Sequence, residues 1–320
     1  MSQPKLISPL TFEPIFMERI WGGRKLAELF GKNLPAGKRI GESWEIVDRP
    51  EAQSVVANGD LKGKTLHELW SQDRQSIFGD VPDTPRFPLL IKILDAQEKL
   101  SLQVHPPEKI AAQLGGEPKT ECWYVAAAEE NAELFVGFGK PTTREEFKRC
   151  LENGTVADCL HALPVKPGDV MFLPSGRFHA IGAGNVLIEV QQNSDTTYRV
   201  FDWNRVDEST GKPRPLHVDQ ALECIDFRDI VPKLGQPMGE SLVRNELFEM
   251  QKWNLSGSRE IAPIGQFAIV CCLSGAIACG DVDLKPGEFC LVPASLQDRQ
   301  LHPRADGTTL LRVAIPRVTP

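Results

Sequence analysis

Four residues in the middle of the chain have the types and spacing of a metal site. Gln103 and His105 stand two apart in the run 100–105, so on a strand both side chains point to one face. Glu121 begins the next predicted strand, and His179 follows a tight turn. Two imidazoles, a carboxylate and an amide oxygen suit zinc or another borderline divalent ion and leave room for a substrate oxygen. A single histidine on a strand is usually a core or surface group, so the interpretation depends on all four residues together.

The turn before His179 carries a recognisable pattern. Gly168, Pro174, Gly176 and His179 fit G-x5-P-x-G-x2-H, the second cupin motif, whose Gly and Pro positions place a histidine at the mouth of a β-barrel. The first cupin motif normally reads His-x-His followed by Glu, and here Gln103 replaces its first histidine.

That replacement narrows the resemblance to one family. The chain resembles the type I mannose-6-phosphate isomerases, in particular their short bacterial form, in the runs IKILDAQEKLSLQVHPP, GGEPKTECWYV and IEVQQNSDTTYRVFDWNR and in the early WGG and ESWE. The resemblance spans essentially the whole chain. It implies one zinc ion per chain, held by Gln103, His105, Glu121 and His179, and the interconversion of mannose 6-phosphate and fructose 6-phosphate through a cis-enediol.

Moving a proton between C1 and C2 requires a base, a shuttle for hydroxyl protons and electrostatic stabilisation of the enediolate. The resemblance implies that Lys119, Glu189 and Arg199 are the catalytic residues. Arg199 would hold enediolate or phosphate oxygens by charge-assisted hydrogen bonds, and either Glu189 or Lys119 would be the base. Phosphate contacts are expected from Arg199, Lys92 or Ser43. The predicted substrate-binding residues are Trp21, Ser43, Lys92, Asn193 and Asp195.

Short strands separated by Gly and Pro must position these side chains. The predicted strands are 87–94, 100–104, 123–127, 133–137, 169–173 and 186–191, and such a series is typical of a β-barrel or sandwich. Helices are predicted at 65–70, at 143–151 with Thr142 or Thr143 as the N-cap, and at 218–226. The predicted fold class is mainly β, with two cupin (jelly-roll) β-barrels and a few short helices.

An internal repeat supports two barrels. The segment at 165–179, VKPGDVMFLPSGRFH, aligns without a gap to LKPGEFCLVPASLQD at 284–298, an offset of 284 − 165 = 119 positions. His179 becomes Asp298 in the second copy, so that copy is degenerate. We predict N-terminal strands and a helix covering the first barrel at 1–84, a metal-bearing barrel at 85–205, a connection with a helix at 206–239, and a degenerate barrel without metal ligands at 240–320.

Composition limits the partners. The net charge of −7, with no Lys/Arg cluster, gives no general attraction to nucleic acid, and no stretch is long and apolar enough for a membrane helix. Eight scattered cysteines without a C-x-x-C pair indicate reduced thiols in a cytoplasmic protein. We expect a sugar phosphate as the only ligand besides the metal, no nucleic acid or membrane partner, and a monomer or homodimer.

Two other functions remain open at this point. A non-catalytic sugar-phosphate-binding cupin would keep the metal but would have little need for Lys119, Glu189 and Arg199 together. A cupin metal-dependent oxygenase would use iron, usually with a histidine-rich ligand set, and Gln103 argues against it.

Overall fold

This computed structural model describes residues 8–206 and 211–316 of the chain, which form twenty-two strands and six α-helices. Three segments lie outside the described part: 1–7, 207–210 and 317–320. They include the first residues of the predicted unit 1–84, a piece of the connection 206–239 and the last residues of the predicted unit 240–320. No helix of the described residues is long and apolar enough to cross a bilayer.

The strands of the first half are β1 Ile15–Gly23, β2 Ile40–Ile46, β3 Asp48–Arg49, β4 Ala52–Gln53, β5 Leu89–Ala96, β6 Leu102–Val104, β7 Glu121–Ala128, β8 Glu133–Phe138, β9 Leu160–Pro164, β10 Val170–Leu173, β11 His179–Ile181, β12 Asn185–Gln192 and β13 Tyr198–Phe201. Those of the second half are β14 Ser241–Arg244, β15 Glu249–Asn254, β16 Arg259–Glu260, β17 Ala268–Ser274, β18 Ile277–Cys279, β19 Val282–Leu284, β20 Phe289–Val292, β21 Gln300–Pro303 and β22 Thr309–Ala314. The helices are α1 Lys25–Phe30, α2 Leu66–Gln72, α3 Arg74–Ile77, α4 Glu108–Ala111, α5 Arg144–Glu152 and α6 Val218–Cys224.

Two pairs of antiparallel sheets account for most of these strands. The first pair has the orders β1-β2-β5-β12-β7-β10 and β13-β6-β11-β8-β9, and the second has β14-β15-β22-β17-β20 and β16-β21-β18-β19. Side chains of the two sheets meet inside each pair: Val125 and Leu187 pack with Val136 and Ile181 in the first pair. The prediction of a mainly β chain with short helices is confirmed.

The repeat predicted from the sequence occupies equivalent places in the two halves. β10 and β20 begin 289 − 170 = 119 positions apart and each forms an edge of its larger sheet, beside β7 and β17. The order β5-β12-β7-β10 therefore corresponds to β15-β22-β17-β20. The division of the chain into the four predicted units stays a prediction.

The two larger sheets pack back to back. Their outward faces share one apolar cluster in which Ile91 and Ile188 of the first half lie with Ile269 and Leu311 of the second. Leu10 also joins the two halves by backbone hydrogen bonds. Its N–H donates to the Leu291 carbonyl and its carbonyl accepts from the Leu291 N–H, at 2.8 Å each.

Local signals explain two of the predicted helices. Thr143 caps α5 and Thr65 caps α2, each through a capping box with a glutamate three residues later. α6 was also predicted, whereas α1, α3 and α4 were missed. These three helices have four to six residues, less than two turns, and too few apolar positions to define a period.

Candidate active site

The four predicted metal ligands lie together between the sheets of the first pair. β6 pairs with β11 so that Gln103 is opposite His179, while Glu121 begins β7 in the facing sheet. Nε2 of His105 lies 3.5 Å from Oε2 of Glu121, and Nε2 of His179 lies 3.4 Å from Oε1. Nε2 of the Gln103 amide is 3.4 Å from Nε2 of His179. Among the described residues, His105, Glu121 and His179 form the one group of three ionisable side chains close enough to share a metal ion.

Both imidazoles are held in the orientation that a metal ligand needs. Nδ1 of His105 lies 2.8 Å from the Thr196 carbonyl, and Nδ1 of His179 lies 2.8 Å from the Arg177 carbonyl. Because a ring nitrogen facing a carbonyl oxygen carries the hydrogen, Nε2 of each ring has the free lone pair, and that of His105 accepts from Nζ of Lys119 at 3.2 Å. Burial, with the charge of Lys119, lowers the pKa of His105 to about 4, and burial also lowers that of His179. Both rings are therefore neutral at pH 7.

Glu121 provides the test of whether a cation fits. Its Oε1 is buried without a hydrogen-bond partner among the described residues. Burial raises the pKa of this carboxyl, but the adjacent ammonium group of Lys119 outweighs it and holds the pKa well below its usual range. A buried anionic oxygen without a partner is costly, and a divalent ion between Glu121, the two Nε2 atoms and Gln103 would remove that cost. The donor set fits the metal.

Charges of alternating sign, all buried except the half-buried Arg19, continue from the predicted metal ligands across the larger sheet. Nζ of Lys119 contacts Glu121 and lies 3.4 Å from Oε1 of Glu189. Nζ of Lys92 lies 3.2 Å from the same Glu189 oxygen and 3.6 Å from Glu42, which accepts a 2.9 Å bond from Arg19. We call this series the charge row; in order it is Glu121, Lys119, Glu189, Lys92, Glu42 and Arg19.

Two members of the charge row, Glu42 and Lys92, are held in their charged forms by their neighbours. Burial raises the pKa of Glu42, but Lys92 and Arg19 outweigh it and lower the pKa to about 2. Burial lowers the pKa of Lys92, and Glu189 and Glu42 outweigh that and raise it. Trp123 adds a 2.9 Å hydrogen bond to the second oxygen of Glu189.

A cavity of about 460 Å³ opens over this row. All three predicted catalytic residues, Lys119, Glu189 and Arg199, line it. The predicted substrate-binding residues Trp21, Lys92 and Asp195 line it as well. Gln103 lines the cavity and is also one of the four predicted metal ligands, so the cavity adjoins the predicted metal site.

Arg199 is a cation without a carboxylate partner among the described residues. Its Nε donates to Ser101 Oγ at 3.1 Å, and Nη1 donates to the Pro215 carbonyl at 3.3 Å. Burial and the nearby charge of Arg214 lower its pKa from the usual arginine range, although the guanidinium remains charged. An unpaired positive charge on the wall of a cavity favours an anionic ligand.

Five ionisable residues of the cavity wall were not predicted from the sequence: Glu18, Arg19, Glu42, Arg214 and His217. Arg214 is held by two bonds to Asp202, at 2.8 and 2.6 Å, and the His217 N–H donates to the Arg199 carbonyl at 2.7 Å. Glu42 shares a face of β2 with Trp44, but alternation along the strand does not show that this face is the cavity wall. His217 has no sequence signal either, since it follows a Pro-rich connection.

Ser43 and Asn193 do not line the cavity. Ser43 alternates with Glu42 along β2, so it points to the other face of the sheet, where its hydroxyl donates to Glu45 at 2.5 Å. The Asn193 amide donates to the carbonyls of Asp48 and Phe87, at 2.6 and 2.8 Å. The structure gives no support to either residue as a substrate ligand.

Comparison with known proteins gives consistent matches. A model of the catalytic domain of type I phosphomannose isomerase matches residues 10–147. Mannose-6-phosphate isomerase ManA of Bacillus subtilis is 40% identical over 314 residues, which cover 93% of this chain and 97% of that protein. Mannose-6-phosphate isomerase of Streptococcus mutans is 37% identical, covering 90% of this chain and 95% of that protein.

Solved structures agree with the sequence matches. The crystal structure of mannose 6-phosphate isomerase from Bacillus subtilis has a TM-score of 0.85 and 35% identity, covering 97% of this chain and 100% of that one. A mannose 6-phosphate isomerase bound with zinc and yttrium has a TM-score of 0.73 at 19% identity, which shows the fold alone. The predicted fold class is thereby confirmed.

Proposed function

The chain belongs to the type I phosphomannose isomerase family, and from this premise we infer that it interconverts mannose 6-phosphate and fructose 6-phosphate. The observation that carries the inference is the cavity itself: most of the charge row and Arg199 line it, and Gln103 joins its wall to the candidate metal ligands His105, Glu121 and His179. Sugar phosphates are anionic polyols, and their charge and hydroxyl groups match this lining.

We propose that Gln103, His105, Glu121 and His179 hold one zinc ion. The neutral Nε2 atoms, the buried Glu121 carboxylate and the position of Gln103 opposite His179 support this ligand set. A structural neighbour is described as bound with zinc. When bound, a divalent ion supplies Lewis-acid polarisation of a substrate carbonyl or hydroxyl oxygen.

The proton moved between C1 and C2 is assigned to the pair Lys119 and Glu189. Their charged atoms lie 3.4 Å apart, both line the cavity, and Lys92 and Trp123 hold the Glu189 carboxylate in place. A base and its partner at hydrogen-bond distance can pass a proton without the help of bulk water. Turnover in deuterated water by Lys119→Met and by Glu189→Gln distinguishes the base from its partner. The variant that has lost the base should lose turnover. The variant that has lost only the proton shuttle should retain turnover but incorporate less deuterium into the sugar.

Arg199 is assigned to the anionic oxygens of the substrate, with Arg214 and His217 beside it on the same wall. Its guanidinium is held by Ser101 and by the Pro215 carbonyl, so it is oriented before a ligand arrives. A preoriented cation loses little conformational freedom on binding, and it stabilises developing charge more strongly than a mobile one would.

The assay that tests the function is turnover of each sugar phosphate by the purified chain. Mannose 6-phosphate should yield fructose 6-phosphate and the reverse, with activity lost in a chelator and restored by zinc. Absence of metal-dependent turnover with both sugars would refute the proposal. The two alternatives are not favoured: a binding module would bind the sugar without turnover, and an oxygenase would consume oxygen.

The cytoplasmic location and the choice between monomer and homodimer stay predictions. The eight free cysteines are typical of a reducing compartment. Size-exclusion chromatography with light scattering measures the oligomeric state directly.

A further inference from the structure

Two thiols meet on the face of the smaller first-half sheet that is turned away from the metal ligands. Cys150 lies in the last turn of α5, and Cys159 ends the short 3₁₀ helix Val156–Cys159. The Cys159 Sγ lies 3.3 Å from the Cys150 Sγ, and both cysteines are free. Cys159 packs in the cluster of Leu102 and Val104, whose side chains alternate with that of Gln103 along β6.

The backbone holds this pair in place from both sides. The Thr155 N–H donates to the Cys150 carbonyl at 2.8 Å, and the Gly139 N–H donates to the Cys159 carbonyl at 2.9 Å. α5 itself is fixed by its capping box and by Phe147, whose ring packs at 5.1 Å, centroid to centroid, on Phe178. Bonding the two sulfurs requires them to approach from 3.3 Å to about 2.0 Å, which side-chain rotation with a small backbone shift can supply.

The two cysteines differ in access to solvent. Of the eight cysteines, all of which lie in the described residues, Cys150 alone is half-buried and the other seven are buried. An oxidant in solution therefore reaches Cys150 first. Burial, with the neighbouring Cys150, raises the pKa of the Cys159 thiol to about 12, so Cys159 is a poor first nucleophile.

We propose that Cys150 and Cys159 are an oxidative modification site, at which a peroxide converts the two thiols to an intramolecular disulfide. The Cys150 thiolate attacks one peroxide oxygen, so that a sulfur–oxygen bond forms, the oxygen–oxygen bond breaks, and one water leaves after protonation. The Cys159 sulfur then attacks the Cys150 sulfenic acid, forming the sulfur–sulfur bond and releasing the second water with the thiol proton. Two thiols and one peroxide thus give one disulfide and two waters.

The bond would cross-link residues 150–159 without involving any proposed metal or substrate ligand. We therefore expect unchanged zinc content and turnover in the oxidised chain, and a raised thermal midpoint, because the closed loop restricts the unfolded chain. This proposal is independent of the isomerase assignment.

The experiment treats the zinc-loaded full chain with hydrogen peroxide and maps its peptides by mass spectrometry without reduction. A peptide linking Cys150 to Cys159, reversed by dithiothreitol, is the expected result. Cys159→Ser should accumulate a sulfenic acid on Cys150 that dimedone traps, while Cys150→Ser should give neither species. Cys279→Ser, which removes a buried thiol from a separate apolar cluster in the second half of the chain, is the matched control and should form the bond like the parent.

Three outcomes would overturn the proposal. One is oxidation of Cys150 to the sulfinic acid while Cys159 remains free to react with an alkylating agent. Another is a disulfide joining Cys150 of two chains. The third is recovery of both thiols unmodified after peroxide treatment.

Discussion

Replacing Lys92 with methionine should remove the central cation of the charge row while keeping a side chain of similar length. Nζ of Lys92 lies 3.2 Å from Glu189 and 3.6 Å from Glu42, and all three side chains are buried. At an effective dielectric constant of about 20, Coulomb's law gives roughly 5 kcal/mol of attraction for each contact. Most of this attraction only compensates for the cost of removing the charged groups from water. Removing one partner of a buried pair costs about 3–5 kcal/mol. Glu42 keeps Arg19 and Glu189 keeps Lys119, so we expect a loss of about 3 kcal/mol.

The assay is urea unfolding with saturating zinc, so that metal loss does not contribute to the difference. A second substitution separates electrostatics from packing: Glu42→Gln/Lys92→Met removes one charge of each sign and should recover at least about 1 kcal/mol relative to Lys92→Met. Lys38→Met is the control, because Lys38 forms a 2.9 Å pair with Glu18 that is more than half exposed on both sides, and its loss should cost less than about 1 kcal/mol. Equal stability of Lys92→Met and the parent, or no recovery in the double variant, would refute the reasoning.

Three further predictions concern the cavity and the candidate metal ligands. Arg199→Ala should lower kcat about 100- to 1,000-fold with unchanged zinc content, and near-normal turnover would remove Arg199 from the mechanism. His179→Ala should weaken zinc binding at least about 100-fold, measured by competition with a chelator; parental affinity would exclude it as a ligand. In the metal-free chain burial lowers the pKa of His105 to about 4, below its value in the unfolded chain, so the unfolded state binds more protons as the pH falls from 6.5 to 5. The free energy of unfolding should therefore decrease by about 2 kcal/mol over this range. His105→Gln should not show this decrease.

Six strands of the metal-bearing half were predicted because each carries a run of apolar residues between turn residues, whereas β9, β11 and β13, of three to five residues, were not. β5, β7, β8 and β12 lie within two residues of the predicted ranges. The ligand set was predicted because each of its members stands in a motif with fixed spacing. The K-P-G turn that occurs twice in the sequence predicted the second copy of the β unit.

The cavity wall was predicted less well, for a physical reason. On β2 both faces bury charged side chains: Glu42 points to the cavity, and Glu45 on the opposite face pairs with Lys32 at 2.7 Å. Alternation of side chains shows that Ser43 and Glu42 lie on different faces, but it does not show which face is the cavity. Only the pairing of β2 with β5 makes that choice: it places Glu42 opposite Leu94, from where its carboxylate reaches Nζ of Lys92 at 3.6 Å.

Back-to-back packing of the two larger sheets makes the half without metal ligands indispensable to the half that has them. A fragment ending near residue 239 would uncover the apolar surface around Ile91 and Ile188 and leave Leu10 without its partner strand. The catalytic half is therefore not an autonomous folding unit, and the chain should unfold in one cooperative step. Residues such as Ile269 and Leu311 would then support turnover through their shape alone, although their copy of the repeat carries Asp298 where the first carries His179.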